Sequence, residues 1–85
     1  MTNNSSGTND NDRAMTLKLW FSNKLRSVRE EKEVSLPMLS LLADVPEQYL
    51  HKVEEAELFP SSGAMAKIAR ALCISVSDFE PPSDM

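Results

Sequence analysis

Several residue types are scarce in this chain, and each scarcity excludes something. There is one cysteine, Cys73, in 85 residues, which excludes an internal disulfide and a cysteine-based zinc site. The single histidine, His51, has no second histidine or cysteine one helical turn away, so it does not make a metal site alone. No cofactor is expected. A glycine-rich phosphate loop is absent, and so is a nucleophile beside a base; with no room for a cleft-sized domain, these lacks argue against an enzyme. No long apolar run exists to cross a membrane. Residues Met1 to Asp12 are polar, unlike a signal peptide. The expectation is a cytoplasmic protein with no membrane partner. Strand-like alternation and internal repeats are also missing.

A basic excess is missing too. Thirteen acids face nine bases, for a net charge of −4 and a pI near 4.8. Nucleic-acid-binding domains are usually basic. The imbalance is local. Residues 1–43 carry six bases and five acids, residues 44–57 one base and five acids, and residues 58–85 two bases and three acids. The negative excess therefore sits around Asp44–Glu57.

What is present is helical periodicity. Residues 1–15 are rich in Asn, Ser, Thr and Asp and lack the apolar side chains that offset the entropy of ordering, which predicts a disordered tail. Residues 16–80 form one small domain, and 81–85 a C-terminal tail. Thr16 is the expected cap of a first helix over 17–31, with Leu17, Phe21, Leu25 and Val28 on one face. Leu19 and Trp20 fall off that stripe, either as extra core at the helix start or as a dimer contact. Ser35 caps a second helix, Leu36–Ala43, with Pro37 tolerated in its first turn. Leu39, Leu42 and Ala43 are its apolar positions. Asp44-Val45-Pro46 breaks the chain, since Asp accepts the left-handed backbone of such a turn. A third helix follows over 46–56, with Leu50 and Val53 inward. Val34–Glu54 is thus a helix-turn-helix signature. Ser61 caps a fourth helix, Ser62–Leu72, with Met65, Ile68, Ala69 and Leu72 as its stripe. Ser75 caps a last turn, Val76–Phe79, and Pro81-Pro82 ends the structure.

The ordered set Leu25–Lys32, Ser35 with Leu39, Leu42 and Ala43, Tyr49–Glu54, Pro60-Ser61, Ile68–Leu72 and Ile74–Phe79 resembles the phage-repressor (Cro/CI, XRE-type) helix-turn-helix family, over about residues 17–80. The resemblance implies an all-α, five-helix lambda-repressor-like DNA-binding domain, here with a disordered N-terminal tail. It implies a small DNA-binding transcriptional regulator that reads double-stranded DNA with its third helix, as a homodimer. It also implies a partly buried structural ion pair between Arg29 and Glu54, of a kind that favours one arrangement more than it adds stability.

The departures from the family fall on the chemistry. Leu36 stands where a glutamine often follows the capping serine. Asp44 and Ala56 stand where glycine is usual, Cys73 occupies a helix end where glycine is frequent, and Pro46 and Glu47 replace Ser and Arg. A buried, inert thiol is expected at Cys73. The DNA-binding set carried over is Glu47, Gln48, Tyr49, His51 and Lys52, with the cap Ser35. Gln48 can read adenine, Lys52 guanine or phosphate, and Glu47 cytosine, while Tyr49 and His51 can bond phosphate. Glu47, Glu55 and Glu57 oppose this beside a line of phosphates. Lys24, Arg26, Lys32, Lys67 and Arg70 are the bases available to compensate. The competing reading is a degenerate helix-turn-helix that binds a protein partner through Leu36, Met38, Tyr49 and Leu58-Phe59, an apolar patch rimmed by acids.

Overall fold

The computed structural model describes the backbone of residues 4–81 and the side chains of residues 13–81. Four α-helices and a closing 3-10 turn follow one another, with no strand among the described residues. They are α1 (Asn4–Glu31), α2 (Leu36–Ala43), α3 (Glu47–Glu54) and α4 (Ser62–Ala71), then the turn Val76–Phe79. The fifth element is therefore one turn of 3-10 helix and not a fifth α-helix. The short span between Ser75 and Pro81 leaves no length for more, and 3-10 bonding suits such short pieces.

α1 starts well before the expected Leu17, so Thr16 lies inside it and does not cap it. No proline stands between Asn4 and Leu17 to end a helix there. Residues 1–3 of the expected tail, and 82–85 with Pro82, lie outside the described residues. α1 turns Phe21, Leu25 and Val28 inward. Ser22 is buried beside them and satisfies its hydroxyl by donating to the Leu19 carbonyl at 3.0 Å.

The other helices are framed by their caps. Ser35 Oγ accepts from Met38 N at 3.2 Å, and Pro37 occupies the first turn of α2, where its missing N–H has no helical partner to lose. Leu39 and Ala43 are buried, whereas Leu42 is 56% exposed. Leu42 thus leaves the expected apolar stripe, because α2 packs on α3 and α4 through Leu39 and Ala43. In the turn, Ser40 Oγ donates to the Val45 carbonyl at 2.6 Å and Val45 is buried. α3 begins behind Pro46 with no side-chain cap, and buries Leu50, Val53 and Glu54. Ser61 Oγ accepts from Ala64 N at 3.1 Å to start α4. Gly63 has nothing near its missing Cβ, so its presence reflects open space and not a close approach. Ser75 and Asp78 form a reciprocal capping box around the last turn.

One core joins these pieces. Phe21 meets Phe79 at 4.8 Å between ring centroids and Phe59 at 5.5 Å edge-on. Leu25, Leu39, Leu50, Val53, Ile68 and Leu72 complete it. α3 packs between α1 and α2, while α4 closes on α2 and on the final turn. Every helix ends on a non-glycine residue in the left-handed region: Glu33 at φ 59°, Asp44 at 58°, Ala56 at 62° and Cys73 at 60°. The C-terminal bonds of such a cap are present at α3, where Ala56 N donates to Val53 O at 3.1 Å and Glu57 N to Lys52 O at 2.9 Å.

Candidate nucleic-acid interface

The position of α3 is fixed from behind. Leu50 and Val53 are fully buried, and the Glu54 side chain is 5% exposed yet charged. Arg29 meets that carboxylate with two bonds, Nε to Oε2 at 2.7 Å and a terminal nitrogen to Oε1 at 3.1 Å. A third Arg29 nitrogen donates to the Val34 carbonyl at 2.8 Å. One guanidinium therefore ties the end of α1, the α1–α2 connection and the end of α3 together. Planar, forked donors make this geometry possible where a lysine ammonium could not reproduce it.

The hydrogen bond to Glu54 raises the Arg29 pKa above the ordinary arginine range; partial burial opposes the rise, and the charges of Glu54 and Glu30 add to it. A raised pKa in the folded state stabilises at every pH below the unfolded value and is lost only as strong alkali passes the folded value. Arg29 thus contributes no pH dependence of stability in the neutral range. Among the described residues, no buried side-chain polar atom lacks a partner.

Opposite this anchor, α3 shows Glu47, Gln48, His51 and Lys52 to solvent. Glu47 Oε2 and His51 Nε2 lie 3.2 Å apart across one turn, both about half exposed. Tyr49 is not part of the open face. Its ring packs on the core, and its hydroxyl accepts from Ser61 N at 3.0 Å. Tyr49 therefore joins α3 to the start of α4, with only its hydroxyl proton left to donate. Ser35 spends its oxygen on the Met38 amide.

The bases separate into groups. Lys24 and Lys32 line a groove with Glu31, Ile74 and Asp78, on the side of the final turn. Lys67 lines a groove of about 310 Å3 with Asp44, Pro46, Tyr49 and Ser61, beside the starts of α3 and α4. Arg26 turns to α3, its terminal nitrogen 2.7 Å from the Glu54 carbonyl and its Nε 3.6 Å from the Glu54 carboxylate. Its contact with the end of α3 is the main functional-site feature that the sequence does not mark. An arginine three residues from Arg29 falls one helical turn away on the same side of α1, which is the one available signal.

Four of the five residues of the protein-binding patch are partly buried. Leu36, Tyr49, Leu58 and Phe59 pack against the core, and of that set Met38 alone is exposed, at 49%. The exposed apolar side chains of α2 are instead Met38, Leu41 and Leu42. Trp20 is half-buried, packed edge-on to Phe21 at 6.4 Å, while Leu19 is 48% exposed. Cys73 is exposed, contrary to expectation. Its left-handed backbone places it past the last turn of α4, where the side chain points away from the core that Leu72 enters.

No family model matches the sequence, and no curated protein does. Solved structures do match. The clp gene regulator ClgR from Corynebacterium glutamicum is 33% identical, with a TM-score of 0.68 over 74% of this chain and 82% of that one. The chain belongs to the phage-repressor-like (Cro/CI, XRE-type) helix-turn-helix family. The restriction-modification controller protein C.AhdI from Aeromonas hydrophila is 27% identical to this helix-turn-helix chain, with a TM-score of 0.72 over 74% of it and 96% of C.AhdI. An HTH_3 family transcriptional regulator from Vibrio cholerae is 29% identical, with a TM-score of 0.75 over 78% of this chain. The helix-turn-helix chain spans 37% of that regulator's length. Among the described residues, no helix is long and apolar enough to cross a membrane.

Proposed function

We propose that this helix-turn-helix protein is a DNA-binding transcriptional regulator that reads double-stranded DNA with the outer face of α3. The observation that carries the reading is the two-sided character of α3. Leu50, Val53 and Glu54 are buried and anchor it, while Glu47, Gln48, His51 and Lys52 are exposed, with Glu47 and His51 in contact with each other. A helix start that offers unpaired N–H groups, with no side-chain cap of its own, suits the approach of a phosphate. Gln48 is the adenine reader and Lys52 the guanine or phosphate contact. Lys67, beside the same end of α3, supplies a second cation. Glu47 has two opposed roles: it can accept from cytosine, and its carboxylate repels phosphates.

The reading extends to a homodimer on two half-sites. Leu19 and Trp20 are its candidate contacts: Leu19 is exposed, and Trp20 is half-buried beside Phe21. Titration of labelled mixed-sequence duplex over a salt series tests the DNA reading. Affinity should fall steeply with salt, and Lys52→Ala should lower both affinity and salt slope. Absence of binding at low salt would reject it. Sedimentation of the wild type and of Leu19→Glu tests the dimer; a wild-type monomer at tens of micromolar would end that part.

A further inference from the structure

We infer that Arg26 is a positioning residue: a cap, supplied by α1, for the C-terminal carbonyl of α3. The inference rests on the reading of α3 as the DNA-facing helix. A helix leaves its last four carbonyls without intrahelical donors. At the end of α3, His51 O receives Glu55 N, Lys52 O receives Glu57 N, and Val53 O receives Ala56 N. The carbonyl of Glu54 has no such backbone donor among the described residues. Its donor is Arg26, at 2.7 Å.

The charge of Arg26 is also well placed. The end of a helix carries partial negative charge, which a cation stabilises. The Nε of the same guanidinium lies 3.6 Å from Oε1 of the Glu54 carboxylate that Arg29 bonds. Both guanidiniums approach Oε1, but Arg29 alone bonds the carboxylate and Arg26 alone bonds the backbone carbonyl. Arg29 fixes the side chain, and Arg26 fixes the backbone of the last helical residue. Together they set the direction of the α3 axis against α1, and hence the presentation of Gln48 in its first turn and Lys52 in its last. Arg26 is 44% exposed at its side chain, so it looks like a free surface cation, but one terminal nitrogen is committed to the Glu54 carbonyl and its Nε faces the Glu54 carboxylate.

The alternative role for an exposed arginine here is to bind a phosphate, and the two roles give different salt dependences. Removing a phosphate-binding cation lowers the slope of log affinity against log salt by about 0.9, whereas removing a positioning residue lowers affinity at unchanged slope. The experiment compares wild type, Arg26→Met and Arg26→Lys, well below their melting temperatures. DNA affinity is measured over a salt series, and amide hydrogen exchange is measured at Ala56 and Glu57. Expected for Arg26→Met are exchange faster by about tenfold at those two amides, with the amides of α4 unchanged, and affinity lower by about tenfold at the wild-type slope. Arg26→Lys, which keeps a charged donor, should fall between, and it decides the matter if the methionine variant does not fold. Unchanged exchange with a slope reduced by about 0.9 would overturn the cap in favour of phosphate binding. Unchanged exchange and affinity would overturn both. If the wild type shows no salt-dependent DNA binding, the proposed function fails, and exchange alone then judges the cap: acceleration supports it and its absence overturns it.

Discussion

Replacing Ala56 by glycine should stabilise this protein, against the usual effect of glycine. Ala56 closes α3 with φ 62°. For an L-residue the left-handed conformation costs roughly 1–2 kcal/mol, because Cβ crowds the following carbonyl. Glycine has no Cβ and avoids that cost. It adds freedom to the unfolded chain, which opposes the gain by about 0.4–1 kcal/mol. The difference leaves a net stabilisation of about 0.5–1 kcal/mol, and a domain of this size should melt about 3–6 °C higher. The hydrogen bonds of the cap, from Ala56 N and Glu57 N, stay in place. Ala66, exposed within α4, is the control. There the same substitution should destabilise by about 1 kcal/mol, since glycine is a poor helix former. Urea unfolding and thermal melts of both variants test the reasoning. If Ala56→Gly and Ala66→Gly destabilise equally, Ala56 is not held in the left-handed region and the account of this helix end is wrong.

Other outcomes follow from the same structure. Glu54→Ala should cost about 3 kcal/mol in urea unfolding, because it strands the largely covered Arg29 guanidinium without its carboxylate; a cost under about 1 kcal/mol would mean that the pair behaves as a surface bridge. Glu47→Gln should tighten DNA binding several-fold at low salt by removing a carboxylate from the outer face of α3, and unchanged or weaker binding would point to a direct base contact by Glu47. Cys73, exposed at the end of α4, should react with a thiol reagent in native buffer at a rate close to that of the urea-unfolded chain; protection until unfolding would place it inside.

The fold was legible because local signals agree with one another. Ser35, Ser61 and Ser75 each precede an apolar-periodic run, and each accepts the amide that a capping serine should. The stripes Phe21–Leu25–Val28 and Ile68–Ala69–Leu72 are core as their spacing requires. Three kinds of feature were not legible. The start of α1 has no punctuation, so neither Thr16 nor composition locates it. The facing of α2 is set by its neighbours: a helix that is apolar nearly all round gives no moment to say that Leu39 goes in and Leu42 out. Long-range partners were the third. Nothing in the spacing says that Arg26 reaches the Glu54 carbonyl, or that Tyr49 spends its oxygen on the Ser61 amide. Those contacts span 28 and 12 residues along the chain, beyond what a local pattern can signal. Ala56 and Cys73 illustrate the reverse case. The helix-end positions were recognised, and the left-handed backbone is present without the glycine that normally permits it.

The central claim is that the free face of α3 meets DNA although it lies in the most acidic part of the chain. The most direct measurement is the affinity of the full chain for mixed-sequence duplex between about 50 and 300 mM salt, wild type against Lys52→Ala. The account predicts binding at low salt that weakens steeply as salt rises, and a slope for Lys52→Ala shallower by about 0.9. No binding by the folded wild type at about 50 mM salt, or a Lys52→Ala slope identical to the wild type, would contradict it.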